Sequence, residues 1–101
     1  MLDLIEQHRS ELFRLCVRYG VARLSLFGSG LGAEFGEDSD LDFVVEFSAL
    51  KLEDAADRYL GLLVDLEDLF GRKIDLVSYR AIRNPYFKEA VDRTRVQLYA
   101  A

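Results

Sequence analysis

Asp38-Ser39-Asp40-Leu41-Asp42-Phe43-Val44-Val45-Glu46-Phe47 is an acidic turn running into a strand. From Leu41 the residues alternate: Leu41, Phe43, Val45 and Phe47 take one face, and Asp42, Val44 and Glu46 take the other. Aspartate is disfavoured in strands, yet Asp40 and Asp42 open this one. A spacing of two residues puts both carboxylates on the same face, about 6.6 Å apart along the chain. That separation suits two side chains converging on one hard cation, or bridging two metals roughly 3.5–4 Å apart. An isolated Asp-x-Asp is also the ordinary solvated start of a strand, so its meaning depends on the segments around it.

Upstream, Val21 to Phe27 is short, aliphatic and stopped by Gly28-Ser29-Gly30, the pattern of a buried strand entering a turn. Glycine there lets the backbone approach a ligand, and free N–H groups with the Ser29 hydroxyl attract phosphate oxygens. Gly28 and Ser29 are therefore candidate nucleotide-binding residues, although a plain turn has the same composition. Leu31 to Ser39, glycine-bearing and acidic, predicts a short helix followed by a mobile loop. Before the strand, Leu2, Ile5, Leu12, Leu15, Cys16 and Tyr19 recur at helical spacing, so Leu2 to Tyr19 reads as one helix ended by Gly20.

Downstream, Leu52 to Phe70 predicts a long amphipathic helix with Leu52, Ala55, Ala56, Tyr59, Leu60, Leu63, Leu66 and Phe70 inward and Gly71 as its stop. Lys73 to Ser78 predicts a third strand, Arg80 to Thr94 a last helix with Pro85 near its start, and Val96 to Tyr99 a fourth short strand. Asp75 sits inside the apolar run Ile74-Asp75-Leu76-Val77. A buried unpaired carboxylate costs several kcal/mol, so the reading gives Asp75 a cation, with a salt bridge to Arg23 or Lys73 as the alternative. Strands alternating with helices make an α/β (α+β) fold, a small mixed sheet with helices packed on it.

At 101 residues the chain is long enough for one domain, spanning residues 1–101. A net charge of −5, with Arg and Lys scattered, argues against direct binding of nucleic acid, whose phosphates are held by clustered cations. Glu6, Arg9, Arg58, Asp65 and Glu67 interrupt every apolar run before the roughly 18 residues that a bilayer needs, so no membrane is expected. The acidic start Met1-Leu2-Asp3-Leu4-Ile5-Glu6 is unlike a signal peptide, and Cys16 has no second cysteine; both favour a reducing cytoplasm. His8, the one histidine, reads as solvated, and one His with one Cys cannot furnish a zinc site. Cys16 reads as inert core. Leu50, Leu62, Tyr86 and Phe87 are candidates for uncovered apolar surface, which would mark a homo- or hetero-oligomer interface.

Taken together, the segments are more specific than any one of them. Leu24-Ser25-Leu26-Phe27-Gly28-Ser29, Asp38 through Phe47, Lys73-Ile74-Asp75-Leu76-Val77, and Asn84-Pro85-Tyr86 through Leu98-Tyr99 resemble, in order and spacing, the DNA polymerase β-like nucleotidyltransferase superfamily. The closer resemblance is to its minimal members, the MNT domains paired with HEPN proteins in toxin–antitoxin modules. It implies that Asp40 and Asp42 hold Mg²⁺, that Gly28 and Ser29 grip the triphosphate of ATP, and that Asp75 completes the metal site beside the acceptor hydroxyl. Two cations would then clamp the attacking and leaving oxygens. The activity implied is protein adenylyltransfer: AMP moves from ATP to a hydroxyl side chain of a HEPN-type toxin, with this chain as antitoxin.

The segment after Gly28-Ser29 departs from the family's pattern. Relatives carry arginines there, in a segment like Arg-Ala-Arg-Gly, where this chain has Gly30-Leu31-Gly32-Ala33. Glu34, Glu37 and Asp38 add negative charge. The departure motivates an alternative function, a catalytically weak or inactive binding module that neutralises its partner by complex formation.

Overall fold

Four strands form one mixed sheet in the order β3-β2-β1-β4. Strand β1 (Val21–Leu26) pairs antiparallel with β2 (Leu41–Phe47) and with β4 (Val96–Ala100), while β2 pairs parallel with β3 (Ile74–Ser78). The structure is a computed structural model and describes residues 2–27, 41–48 and 52–101. The predicted helix and loop over residues 31–39, and Leu50, lie outside these residues.

The alternation read in β2 holds. Leu41, Phe43, Val45 and Phe47 are buried on one face, packed with Leu24, Leu26 and Leu76 of the neighbouring strands and with Leu12, Cys16, Leu62 and Leu66 of the helices. Phe43 stacks on Phe70 with ring centroids 5.9 Å apart. Val44 faces the other way, into a smaller cluster with Phe27 and Val91 that Val77, Tyr79 and Ile82 flank. The sheet is thus covered fully on one face and in part on the other.

The first helix divides in two, α1 (Leu2–Gln7) and α2 (Arg9–Arg18), where a single one is predicted. His8 at the break leaves helical geometry at φ −117° and ψ 17°. Its Nδ1 lies 2.9 Å from the Leu4 carbonyl oxygen, and its ring meets Phe70 edge to face at 5.3 Å. His8 is therefore half-buried and engaged, not solvated, because the chain must turn to lay α1 over the end of the long helix. Cys16 is inert core, its thiol pushed up to about 12 by burial.

Helix α3 spans Leu52–Phe70, as its apolar period predicts, and Gly71 ends it at φ +64°. Tyr59, Leu63, Leu66 and Phe70 face the core as read, but two of the residues expected inward do not. Leu62 is fully buried, whereas Leu60 is 55% exposed and Ala56 also faces outward. Helix α4 is Pro85–Thr94, shorter than the predicted Arg80–Thr94. Tyr79–Ala81 form a separate 3-10 turn, and the Asn84 side chain caps α4 by accepting from the Tyr86 and Phe87 N–H groups, with Pro85 at the first helical position. No helix among the described residues is long and apolar enough to cross a membrane.

Candidate active site

The partly covered face of the sheet carries the two candidate carboxylates that the structure describes. Parallel pairing sets Asp42 of β2 directly beside Asp75 of β3, and one step further Val44 beside Val77. Parallel neighbours share a face, so both carboxylates project from the same side at about the 4.8 Å spacing of adjacent strands. Helix α4 covers the next pair along through Val91 but leaves this end of the strands open, with Asp42 half-buried and Asp75 exposed. The main chain ties in β1: the Phe27 N–H donates to the Asp42 carbonyl oxygen at 2.9 Å. Gly28 follows Phe27 directly in the chain. Asp40, Gly28 and Ser29 themselves lie outside the described residues.

Asp75 is not buried in the way its apolar neighbours in sequence predict, because β3 is an edge strand and its side chain is open to water there. Neither cation proposed for it reaches it: no ion pair to Asp75 occurs among the described residues, and Arg23 is committed elsewhere. What the arrangement presents instead is two carboxylate-bearing residues opposite one another on adjacent strands. Hard carboxylate oxygens so placed fit a divalent cation of the Mg²⁺ kind, which takes one or two carboxylates and completes its shell with water and phosphate. Among the described residues no cluster of three potential metal ligands forms, the third expected carboxylate, Asp40, being outside them. On the opposite side of β3 the Tyr59 hydroxyl donates to the Leu76 carbonyl oxygen at 2.5 Å; burial and the Asp75 charge hold its pKa above the ordinary phenol value.

The far end of the same face is a closed ionic cluster that the sequence reading did not find. Glu46 accepts from Arg23 at 2.5 Å and pairs with Arg95 at 3.5 Å. Arg95 also lies 4.9 Å above the Tyr79 ring, whose hydroxyl donates to Asp92 at 2.9 Å. The Arg23 hydrogen bond holds the Glu46 carboxyl below the usual range, with Arg95 and Arg80 adding to it against the cost of burial. The one signal in sequence was Glu46 itself, standing on the Asp42 face of an apolar strand. Beside Val77, between β3 and α4, Ser78, Ala81, Ile82, Arg83 and Phe87 line a groove of about 480 Å³. Tyr86, 82% exposed, and Phe87, 40% exposed, are the uncovered apolar residues expected from sequence, while Leu62 is not.

These features accord with the proteins that this chain resembles. Residues 11–101 match the family described as polymerase beta, nucleotidyltransferase. A Methanocaldococcus jannaschii protein inferred to be a protein adenylyltransferase is 37% identical over 75 residues, 74% of each chain. A solved minimal nucleotidyltransferase is 36% identical, covers 94% of this chain and 93% of its own, and superposes with a TM-score of 0.69. At 19% identity the fold alone is shared with the complex of a tri-AMPylated Shewanella oneidensis HEPN toxin and its MNT antitoxin, with a TM-score of 0.64 over 95% of this chain and 72% of that one. With the family pattern spanning all four strands and the two described carboxylates side by side in register, the chain belongs to the polymerase β nucleotidyltransferase family.

Proposed function

We propose that this chain, as a single domain over residues 1–101, is a Mg²⁺-dependent protein adenylyltransferase that acts in the cytoplasm as the antitoxin of a HEPN-type toxin. It moves AMP from ATP to a hydroxyl side chain, such as a tyrosine, of that partner. The observation that carries the reading is the register pair Asp42 and Asp75 at the open end of the sheet, one main-chain hydrogen bond from the residue preceding Gly28-Ser29. The relation to named adenylyltransferases, and the fold shared with an antitoxin bound to an AMPylated toxin, support the substrate and the partner.

In this reading Asp40, Asp42 and Asp75 hold the metal, and Gly28 and Ser29 bind the triphosphate through backbone N–H groups and the hydroxyl. Bound Mg²⁺ supplies charge neutralisation at the α-phosphate and the departing pyrophosphate. Asp75, on the edge strand and open to solvent, is the carboxylate that a partner's side chain reaches first. It accepts the proton as the hydroxyl oxygen forms its bond to the α-phosphorus. The bond from that phosphorus to the oxygen bridging to the β-phosphate breaks, and pyrophosphate leaves with the electron pair.

Label transfer tests this. The purified chain is incubated with Mg²⁺, ATP labelled at the α-phosphate and the HEPN-type protein encoded beside it. Asp42→Asn is expected to lower transfer at least about a hundredfold, since metal charge stabilisation is worth several kcal/mol. Equal labelling by Asp42→Asn would sink the mechanism. No label from the unaltered chain, alongside a stable complex with the partner, would favour neutralisation by complex formation.

A further inference from the structure

The helices on the covered face of the sheet turn outward a surface that has no part in the chemistry described so far. Helices α2 and α3 pack side by side and antiparallel: His8, before α2, meets Phe70 at the end of α3, whereas Tyr19, after α2, reaches back to Gly61 and Asp65. Their charges differ in sign. Helix α2 carries Arg9, Arg14 and Arg18 against one acid, Glu11. Helix α3 carries acids along its length, and the guanidinium of Arg58, its one base, lies over Gly20. Across the outer surface the side chains run in four rows. Phe13 and Val17 lie on the β4 side of α2, Phe13 edge to face with Tyr99 at 5.5 Å. Arg14 and Arg18 come next, bordering a groove of about 450 Å³ between the helices, and Asp65 and Asp68 border it from the α3 side. Leu60 and Val64 lie beyond them, exposed on the crest of α3. The order is apolar, basic, acidic, apolar.

Val17 is 70% exposed and Val64 53%, and the contacts at Phe70 and Gly61 set them at about the same height along the helices. Arg14 and Asp68 have no ion-pair partner among the described residues. A two-fold axis running along the groove, parallel to the helices, reverses the order of the rows on a facing copy. Basic then meets acidic and apolar meets apolar, on both sides of the axis at once. A two-fold axis across the helices would instead set α2 on α2 and basic on basic, which like-charge repulsion disfavours. We propose that a second copy of this chain docks here, in an isologous dimer where α2 of each copy lies on α3 of the other. Both halves of the complement stand on one surface, which is what a second copy requires and an unlike partner does not. Asp42 and Asp75 belong to the opposite face of the sheet, so the two candidate sites point away from the contact. This pairing of copies is independent of the adenylyltransferase reading.

Two helices about 15 and 28 Å long and together about 20 Å wide make a face at the small end of stable interfaces. Sedimentation equilibrium on the full chain therefore runs to concentrations of about 1 mM. The unaltered chain is expected to reach a dimer. Arg14→Glu and Asp68→Arg, both at exposed positions, are each expected to weaken dimerisation at least about tenfold, since each sets like charges face to face on both sides of the axis. An equimolar mixture of the two variants is expected to associate again. In the mixed pair the altered residues face opposite charges across the contact, and the remaining Arg14 faces the remaining Asp68. Such recovery has no source within one chain, and a misfolded variant does not give it. A chain that stays monomeric throughout overturns the proposal, as does a dimer that Arg14→Glu leaves intact or a mixture that fails to associate. A monomer that binds only the HEPN-type protein, and loses it with Arg14→Glu, also overturns it and gives the face to that partner.

Discussion

Asp75 and Glu46 stand on one face of the sheet as carboxylates with different partners. Asp75 looks into solvent beside Asp42, whereas Glu46 is held between Arg23 and Arg95 with its pKa below the ordinary range. A carboxyl whose folded pKa is depressed contributes stability that is fully present above the unfolded value, about 4.3 for Glu, and is lost as pH falls through the folded one. Glu46→Gln is thus expected to lower Tm near about pH 7, with the difference from the unaltered chain shrinking towards about pH 3. Thermal melts across that range check it; a Tm difference that stays constant with pH would mean the ion pairs contribute nothing linked to protonation. Both carboxylates were visible in the sequence, but which one was paired was not. Arg23 lies 23 residues from Glu46 and Arg95 lies 49 away, and only the β1–β2 register and the return of α4 into β4 bring them together.

Helix α3 shows what periodicity settles and what it leaves open. Its limits, Leu52 to Phe70, follow from the apolar repeat and the glycine stop. Its rotation does not, because leucine recurs so densely along it that two neighbouring stripes are both apolar. The structure selects the stripe through Leu62 and Leu66 and leaves Ala56, Leu60 and Val64 outward. Leu62→Ala is accordingly expected to cost about 2–5 kcal/mol, as deletions in a packed core do. Leu60→Ala should stay within about 0.5 kcal/mol. Urea denaturation of the two variants measures both, and comparable losses would place the helix in the other rotation. At α4 the start is encoded locally. Asn84-Pro85 is a cap followed by the residue that fits a first helical turn, so the helix begins there and not at Arg80.

Across the whole molecule, the helical layer closes over the sheet where α2 ends against α3. Tyr19, at the end of α2, lays its ring across Gly61 and donates its hydroxyl to Asp65 at 2.5 Å. A Cβ at Gly61 would come within 2.6 Å of the Tyr19 ring, so the glycine fixes how closely the two helices approach. Gly61→Ala gains helix propensity and loses that approach. The clash is expected to win, at about 1–3 kcal/mol of destabilisation. A denaturant midpoint that falls with an unchanged m-value would report it, and a midpoint that rises would show that Tyr19 simply swings away.

By itself the sequence determined the order of the four strands, the helices α3 and α4 among them, the alternating faces of β2 and the stops at Gly20 and Gly71. All of these are local: side-chain period, glycine conformation and residue type act over a few neighbouring positions. The tertiary structure alone decided that Asp42 and Asp75 are register partners, that Asp75 is open to solvent, that Leu62 and not Leu60 enters the core, and that Glu46 is held between Arg23 and Arg95. Parallel pairing of strands 33 residues apart sets which side chains meet, and no spacing along the chain encodes that register.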